Sequence, residues 1–168
     1  MDHPFFQTLA ARHRLRLSDQ VGEDLGQRMD HALTMILRHG YQSAILVGTD
    51  IPDISDRTYK HAKELLQTKD VVFGPTQDGG YYLVGLKAPH PELFANIPWS
   101  SQQVLTQSHA QAEKLGLAVG LLERKQDIDT FDDVQAFLNE ESASGRRKLS
   151  TRTANVLQTL AQRHRHHS

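Results

Sequence analysis

Apolar side chains recur at Leu25, Met29, Ala32, Leu33, Ile36 and Leu37 with polar residues between them, the rhythm of a helix with one buried face. Gly40 follows where such a helix stops, so the pattern predicts an amphipathic helix over residues 24–39. The rhythm then changes. Ser43-Ala44-Ile45-Leu46-Val47-Gly48 is a short continuous apolar run, of the kind found in strands covered on both faces, and Thr49-Asp50-Ile51-Pro52 ends it. Residues 55–68 read as a helix capped by Ser55 or Asp56, and residues 70–74 as another buried strand. Residues 81–86 (YYLVGL) are rich in β-formers, 101–115 are helical, 117–122 extended, and 130–139 helical behind a cap from Thr130 or Asp129. This alternation predicts an α/β fold, a three-layer sandwich around a mostly parallel sheet. Ligands in such sheets gather beyond the carboxyl ends of the strands, so the strand-exit loops are the first place to look for chemistry.

With 168 residues the chain has room for one domain, at about 100–200 residues each. The absence of cysteine removes disulfide scaffolds, zinc fingers, thiolate nucleophiles and iron–sulfur clusters. A net charge of −1 gives no global drive toward nucleic acid or an anionic membrane. The charges are unevenly spread, however: residues 142–168 hold six Lys or Arg and no acid, against 13 basic and 20 acidic residues in 1–141. We therefore divide the chain into a domain over 1–141 and a basic tail over 142–168, the tail read as a solvated end with nucleic acid not expected as a partner. Within the tail, residues 150–165 have helix-forming composition, and Val156, Leu157 and Leu160 offer a weak apolar stripe that could dock on the body or on a second copy. The terminal stretch of residues 163–167 (RHRHH) is expected to be unstructured. No run approaches the roughly 20 apolar residues of a membrane span, and the N-terminus lacks the apolar block of a secretory signal, so a cytoplasmic location is expected.

Three exit loops concentrate acids and glycines and would meet along one edge of the sheet: Gly48-Thr49-Asp50-Ile51-Pro52, then residues 74–81 (GPTQDGGY), then Asp127-Ile128-Asp129-Thr130. Asp50 follows the apolar run directly, which puts its carboxylate at a strand tip, either capping the next turn or serving a hard cation such as Mg²⁺ or Mn²⁺. Asp78-Gly79-Gly80 reads equally as a plain hairpin turn or as a loop whose glycines admit a ligand while Asp78 orients a hydroxyl or takes its proton. Asp127 and Asp129, spaced i and i+2, fall on one side of an extended stretch and suit metal coordination or capping of the following helix. Trp99, the only tryptophan, is more in keeping with packing than with a stacking platform. Arg28 is explained by an ion pair with Asp24 one turn earlier, although Gly22, Gly26 and Arg28 also suit an anion held by free backbone N–H groups. The ten histidines form no HExxH or similar ligand set.

Taken in order, Gln20-x-Gly22-x-Asp24-Leu25-Gly26-x-Arg28-Met29, Gly48-Thr49-Asp50-Ile51-Pro52, Gly74-Pro75-x-x-Asp78-Gly79-Gly80-Tyr81, Ile97-Pro98-Trp99-Ser100 and Asp127-x-Asp129-Thr130 resemble a bacterial family of GT-A-fold glycosyltransferases. The family is also labelled radical-SAM/selenodomain-associated transferases and is similar to the molybdenum-cofactor and phospholactate guanylyltransferases. The resemblance implies a nucleotide-diphospho-sugar or nucleoside triphosphate donor and a Mg or Mn ion. It implies Asp50 as metal carboxylate, Asp127 or Asp129 as a second acidic contact to the metal, residues 22–28 facing the nucleotide (Gly22, Asp24, Gly26 and Arg28), and Asp78, Gly79 and Gly80 lining the acceptor side. The family opens with a strand and a loop like P-x-P-G-x-x-K-T-R-L, which nothing before Gln20 matches. That half of the pocket is expected to be absent here, leaving a strand edge for a second copy to cover as a homodimer. Two readings follow: a metal-dependent glycosyltransferase or guanylyltransferase-type nucleotidyltransferase, or a non-catalytic remnant serving as a binding or assembly subunit.

Overall fold

In the computed structural model, which describes residues 3–144, 149 and 151–165, the chain opens with a helix the hydrophobic pattern did not predict, α1 (Pro4–His13). Local chemistry accounts for it. His3 Nδ1 accepts a hydrogen bond from the Phe5 amide, Pro4 supplies a helical φ at the first position, and Arg14 ends the helix at φ 54° with its amide bonded to the Ala10 carbonyl. None of its residues is buried, so no hydrophobic rhythm was there to read.

The next helix, α2 (Leu25–Arg38), matches its prediction. Asp24 caps it, Oδ1 accepting from the Gln27 amide at 2.8 Å, and Gly26, Met29, Leu33 and Leu37 form its buried face. There follow β1 (Ala44–Val47), α3 (Asp56–Thr68), β2 (Val71–Pro75), β3 (Tyr81–Leu86), a 3₁₀ turn (Pro91–Phe94), α4 (Val104–Lys114), β4 (Val119–Leu121), α5 (Phe131–Ser144) and α6 (Thr151–Arg165).

The sheet has the order β1-β3-β2-β4, and here the sequence expectation needs correction. β3 is antiparallel to both β1 and β2, and only β2 and β4 pair in parallel, so the sheet is mixed rather than mostly parallel. The reason lies in the five residues 76–80 between β2 and β3. A connection that short can join only antiparallel neighbours, whereas a parallel pair needs a crossover of about a dozen residues or more. β1, β2 and β4 still share one direction, being each opposed to β3 or parallel to β2. Their three exits therefore leave the same edge of the sheet.

Alternation along the strands divides the core between the two faces. Val71, Phe73, Val84 and Leu86 meet Met29, Leu33 and Leu37 of α2 and Ala112 of α4; Val72 and Leu83 face the other way, onto Ala62 and Leu66 of α3. β2 is buried along its whole length. Among the described residues β1 forms the end of the sheet with one side unpaired, and Ile45, Leu46 and Val47 are half-buried there.

The tail helix docks on the body. Val134 and Phe137 of α5 pack with Leu149 and Leu157 in a third cluster. The stripe differs from the predicted one: Leu157 and Ala161, one turn apart, are buried, whereas Val156 and Leu160 remain about half exposed. Residues 163–165, expected to be unstructured, continue α6, while His166 and His167 lie outside the described residues. Among the described residues no helix is long and apolar enough to cross a membrane.

Candidate functional site

Each of the three exit loops is built by its own local chemistry. After β1, the Gly48 amide donates to the Tyr82 carbonyl at 2.8 Å and Asp50 stands just beyond. A Cβ on Gly48 would lie 2.7 Å from Asp50 Oδ1, so any larger residue there would push that carboxylate aside.

In residues 76–80 the Thr76 amide donates to the Gly80 carbonyl, and Asp78 Oδ1 accepts from the Thr76 hydroxyl and the Gly80 amide. The hairpin and ligand readings of this loop coexist, because the turn stands at the edge of the cleft. Gly79, at φ 93°, is pressed so closely under the Gln102 carbonyl that a Cβ would sit 2.1 Å from it, and its own carbonyl accepts from the Leu105 amide. The hairpin tip is thereby fastened to the start of α4.

After β4, the Ile128 amide donates to the Asp50 carbonyl at 3.2 Å, which sets Asp127 and Asp129 beside the β1 exit. The capping alternative for these two carboxylates is decided by their neighbours. Thr130 and Asp133 cap α5 reciprocally, with Asp133 Oδ2 accepting from the Thr130 amide at 2.7 Å and Thr130 Oγ1 from the Asp133 amide at 3.3 Å. Those bonds hold the Asp133 carboxyl below the ordinary range, the Thr130 hydroxyl first and its amide next. Asp127 moves the other way: burial raises it, and the negative charges of Asp78, Asp129 and Asp50 raise it further against the partial relief of its own amide.

Asp50, Asp78, Asp127 and Asp129 all line one cleft of about 700 Å³, together with Arg28, Gly80 and Trp99. Its apolar side runs along α2 and the β1 edge, with Met29, Met35 and Leu46 among its lining residues. Sequence pattern had not singled out Met35 or Leu46 as cleft residues, because a wall residue and a core residue share the same helical or strand spacing.

Gly22, Asp24, Gly26 and Gly79 do not line the cleft; they shape what does. Asp24 caps α2, and Arg28, instead of pairing with it, donates from Nε to the Gly22 carbonyl. Gly26 lets α2 approach the indole, since a Cβ there would come within 2.6 Å of Trp99 Cζ2. Trp99 itself is half-buried, edge-on to Tyr81 with centroids 6.4 Å apart, and serves as both packing and cleft wall.

Among the described residues no group of three or more acidic or histidine side chains forms a ready-made metal cage. The donor set still fits a hard divalent cation. Asp127 is a partly desolvated carboxylate facing three like charges. Mg²⁺ and Mn²⁺ take one or two such oxygens and complete their shell with water and substrate phosphate, so no protein cage is required.

The family described as an uncharacterized protein conserved in bacteria (DUF2064) matches residues 1–101. The chain belongs to this family. The match includes the exit loops bearing Asp50 and Asp78 and ends before Asp127. Among solved structures, one described as a "putative nucleotide-diphospho-sugar transferase" from Desulfovibrio desulfuricans G20 is 30% identical and superposes with a TM-score of 0.82, covering 95% of this chain and 70% of that one. No curated protein matches the chain.

Proposed function

We propose that this chain acts as a metal-dependent transferase of the glycosyltransferase type, with a nucleotide-diphospho-sugar in the cleft. The observation that carries the reading is the convergence of three strand-exit loops, bearing four carboxylates, on one 700 Å³ cleft large enough for such a donor. The similarity to a structure described as a nucleotide-diphospho-sugar transferase supports the substrate class. A nucleoside triphosphate donor, as in the guanylyltransferases the motifs resemble, is the near alternative.

In this reading one or two of the Asp50, Asp127 and Asp129 carboxylates would hold a Mg or Mn ion, which supplies charge neutralisation for a departing diphosphate. The chain's own residues do the remaining work. Arg28, at the α2 start, adds a fixed positive group to the wall. Asp78, held in its turn by the Thr76 hydroxyl and the Gly80 amide, orients an acceptor hydroxyl. Trp99 and Tyr81 keep water from that side of the cleft. Transfer breaks the bond from the sugar's anomeric carbon to diphosphate oxygen and forms one to the acceptor oxygen, whose proton leaves to solvent or a nearby carboxylate. Positioning and charge dominate such chemistry.

Calorimetric titration with UDP, GDP and their sugars in Mn²⁺ tests the proposal. Heat with at least one of them, abolished in Asp50→Ala, is the expected result; folded protein giving no heat with any would overturn it. A second reading, a non-catalytic binding or assembly subunit, draws on the unpaired β1 edge, which a second copy would cover in a homodimer. Under that reading Asp50→Ala leaves binding unchanged and raises stability as clustered negative charge is relieved.

A further inference from the structure

The loops that carry Asp50 and Asp127 are joined at two points. At the first the Ile128 amide meets the Asp50 carbonyl, and at the second Lys125 Nζ lies 2.6 Å from Asp53 Oδ2 and 3.3 Å from the Asp53 carbonyl. From one rung to the next the numbering rises by three on one loop and falls by three on the other, as it does between antiparallel segments. Lys125 is anchored in turn to the sheet. Its amide donates to the Pro75 carbonyl, it bridges Thr76 in parallel register, and Arg124 beside it donates to the Thr76 carbonyl at 2.8 Å. From the other side, the Tyr82 hydroxyl reaches the Glu123 carbonyl at 3.3 Å.

Stability is a poor explanation for this pair. The Lys125 and Asp53 side chains are only 10% and 11% exposed, and Asp53 Oδ1 is buried with no hydrogen-bond partner. Desolvating two charges and orphaning one oxygen consumes much of what the contact gains, and apolar replacements of such pairs are often neutral or stabilising. What an apolar pair lacks is direction. A charged bond 2.6 Å long fixes where the irregular loop after β1 sits against the Lys125 segment, which is itself held to β2.

We propose that Asp53 and Lys125 form a positioning tie that sets the spacing between the Asp50 carboxylate and those of Asp127 and Asp129. The consequence for ligand binding rests on the transferase reading; the tie itself does not. Neither residue lines the cleft, so both act through the loops they join.

The test compares wild type with the double variant Asp53→Leu/Lys125→Met, and with Asp53→Asn and Lys125→Arg as volume- and charge-conserving variants. Three quantities are read: the thermal midpoint, hydrogen exchange at the Ile128 amide against the β2 amides, and Mn²⁺-dependent UDP affinity. The double variant is expected to keep or raise its thermal midpoint while Ile128 exchanges about tenfold faster and the β2 amides do not change. UDP affinity in Mn²⁺ falls about tenfold, as when outer partners of metal ligands are removed. Asp53→Asn shows the same local loosening in smaller degree, and Lys125→Arg restores protection. Unchanged Ile128 exchange in folded variants overturns the tie. Unfolding of the double variant overturns it too, because the pair would then be a stability element. Wild type that binds no Mn²⁺ and UDP refutes the transferase reading, while the exchange measurement still judges the tie.

Discussion

At the residue scale, Asp127 carries the clearest electrostatic consequence. Its folded-state pKa lies above the ordinary carboxylate value, so the folded chain holds that proton more tightly than the unfolded one. The stabilisation is therefore fully present below the ordinary value and is lost as pH rises through the raised one. Near neutrality the ionised group is a burden on the fold. Asp127→Asn should melt at a higher temperature than wild type near neutrality, with the gap closing in acid; a gap that stays constant across thermal melts from acid to neutral pH would remove Asp127 as its source. Sequence spacing placed Asp127 and Asp129 on one side of an extended stretch but left capping and coordination undivided. The cap of α5 is made by Thr130 and Asp133, through a reciprocal pair whose glutamate-like member is an aspartate. Lys125 gave no signal, since a lone lysine in an irregular segment looks like any solvated charge.

At the scale of elements, the long periodic segments were the readable ones. α2, α3 and β3 fall within a residue or two of the positions the pattern predicts, because each puts a continuous apolar face against the core. α4 begins three residues late, at Val104, where the Gln102 backbone just before it is drawn over Gly79 of the Asp78-Gly79-Gly80 turn. α1 was illegible for the opposite reason, being stabilised by its caps and burying nothing. The direction of β3 was legible in principle: the same Asp-Gly-Gly turn that reads as a hairpin also dictates an antiparallel neighbour, and the rhythm of alternating elements concealed it. In the tail, Leu157 is the anchor of α6 on α5. Leu157→Ala should cost about 2–3 kcal/mol, toward the low end for buried leucines because the site lies near the surface. Proteolysis should then attack α6 ahead of the body; a variant as resistant as wild type would show that the helix is held elsewhere.

For the whole molecule, the mixed sheet preserves what matters for a ligand, since β1, β2 and β4 deliver their exits to one edge whatever the direction of β3. The opposite consequence falls on β1, whose outer side leaves a row of backbone donors and acceptors with no strand partner among the described residues. Self-association through that side is expected, and sedimentation equilibrium should show a dimer whose population rises with concentration. A monomer at every concentration tested would show that the edge is tolerated open. The cleft also contains the molecule's single indole, Trp99, set between the α2 glycine and Tyr81. Fluorescence excited at wavelengths too long for the four tyrosines to absorb therefore has one source, and that source forms part of the cavity wall. The protein carries its own optical gauge of occupancy, readable without label or substitution.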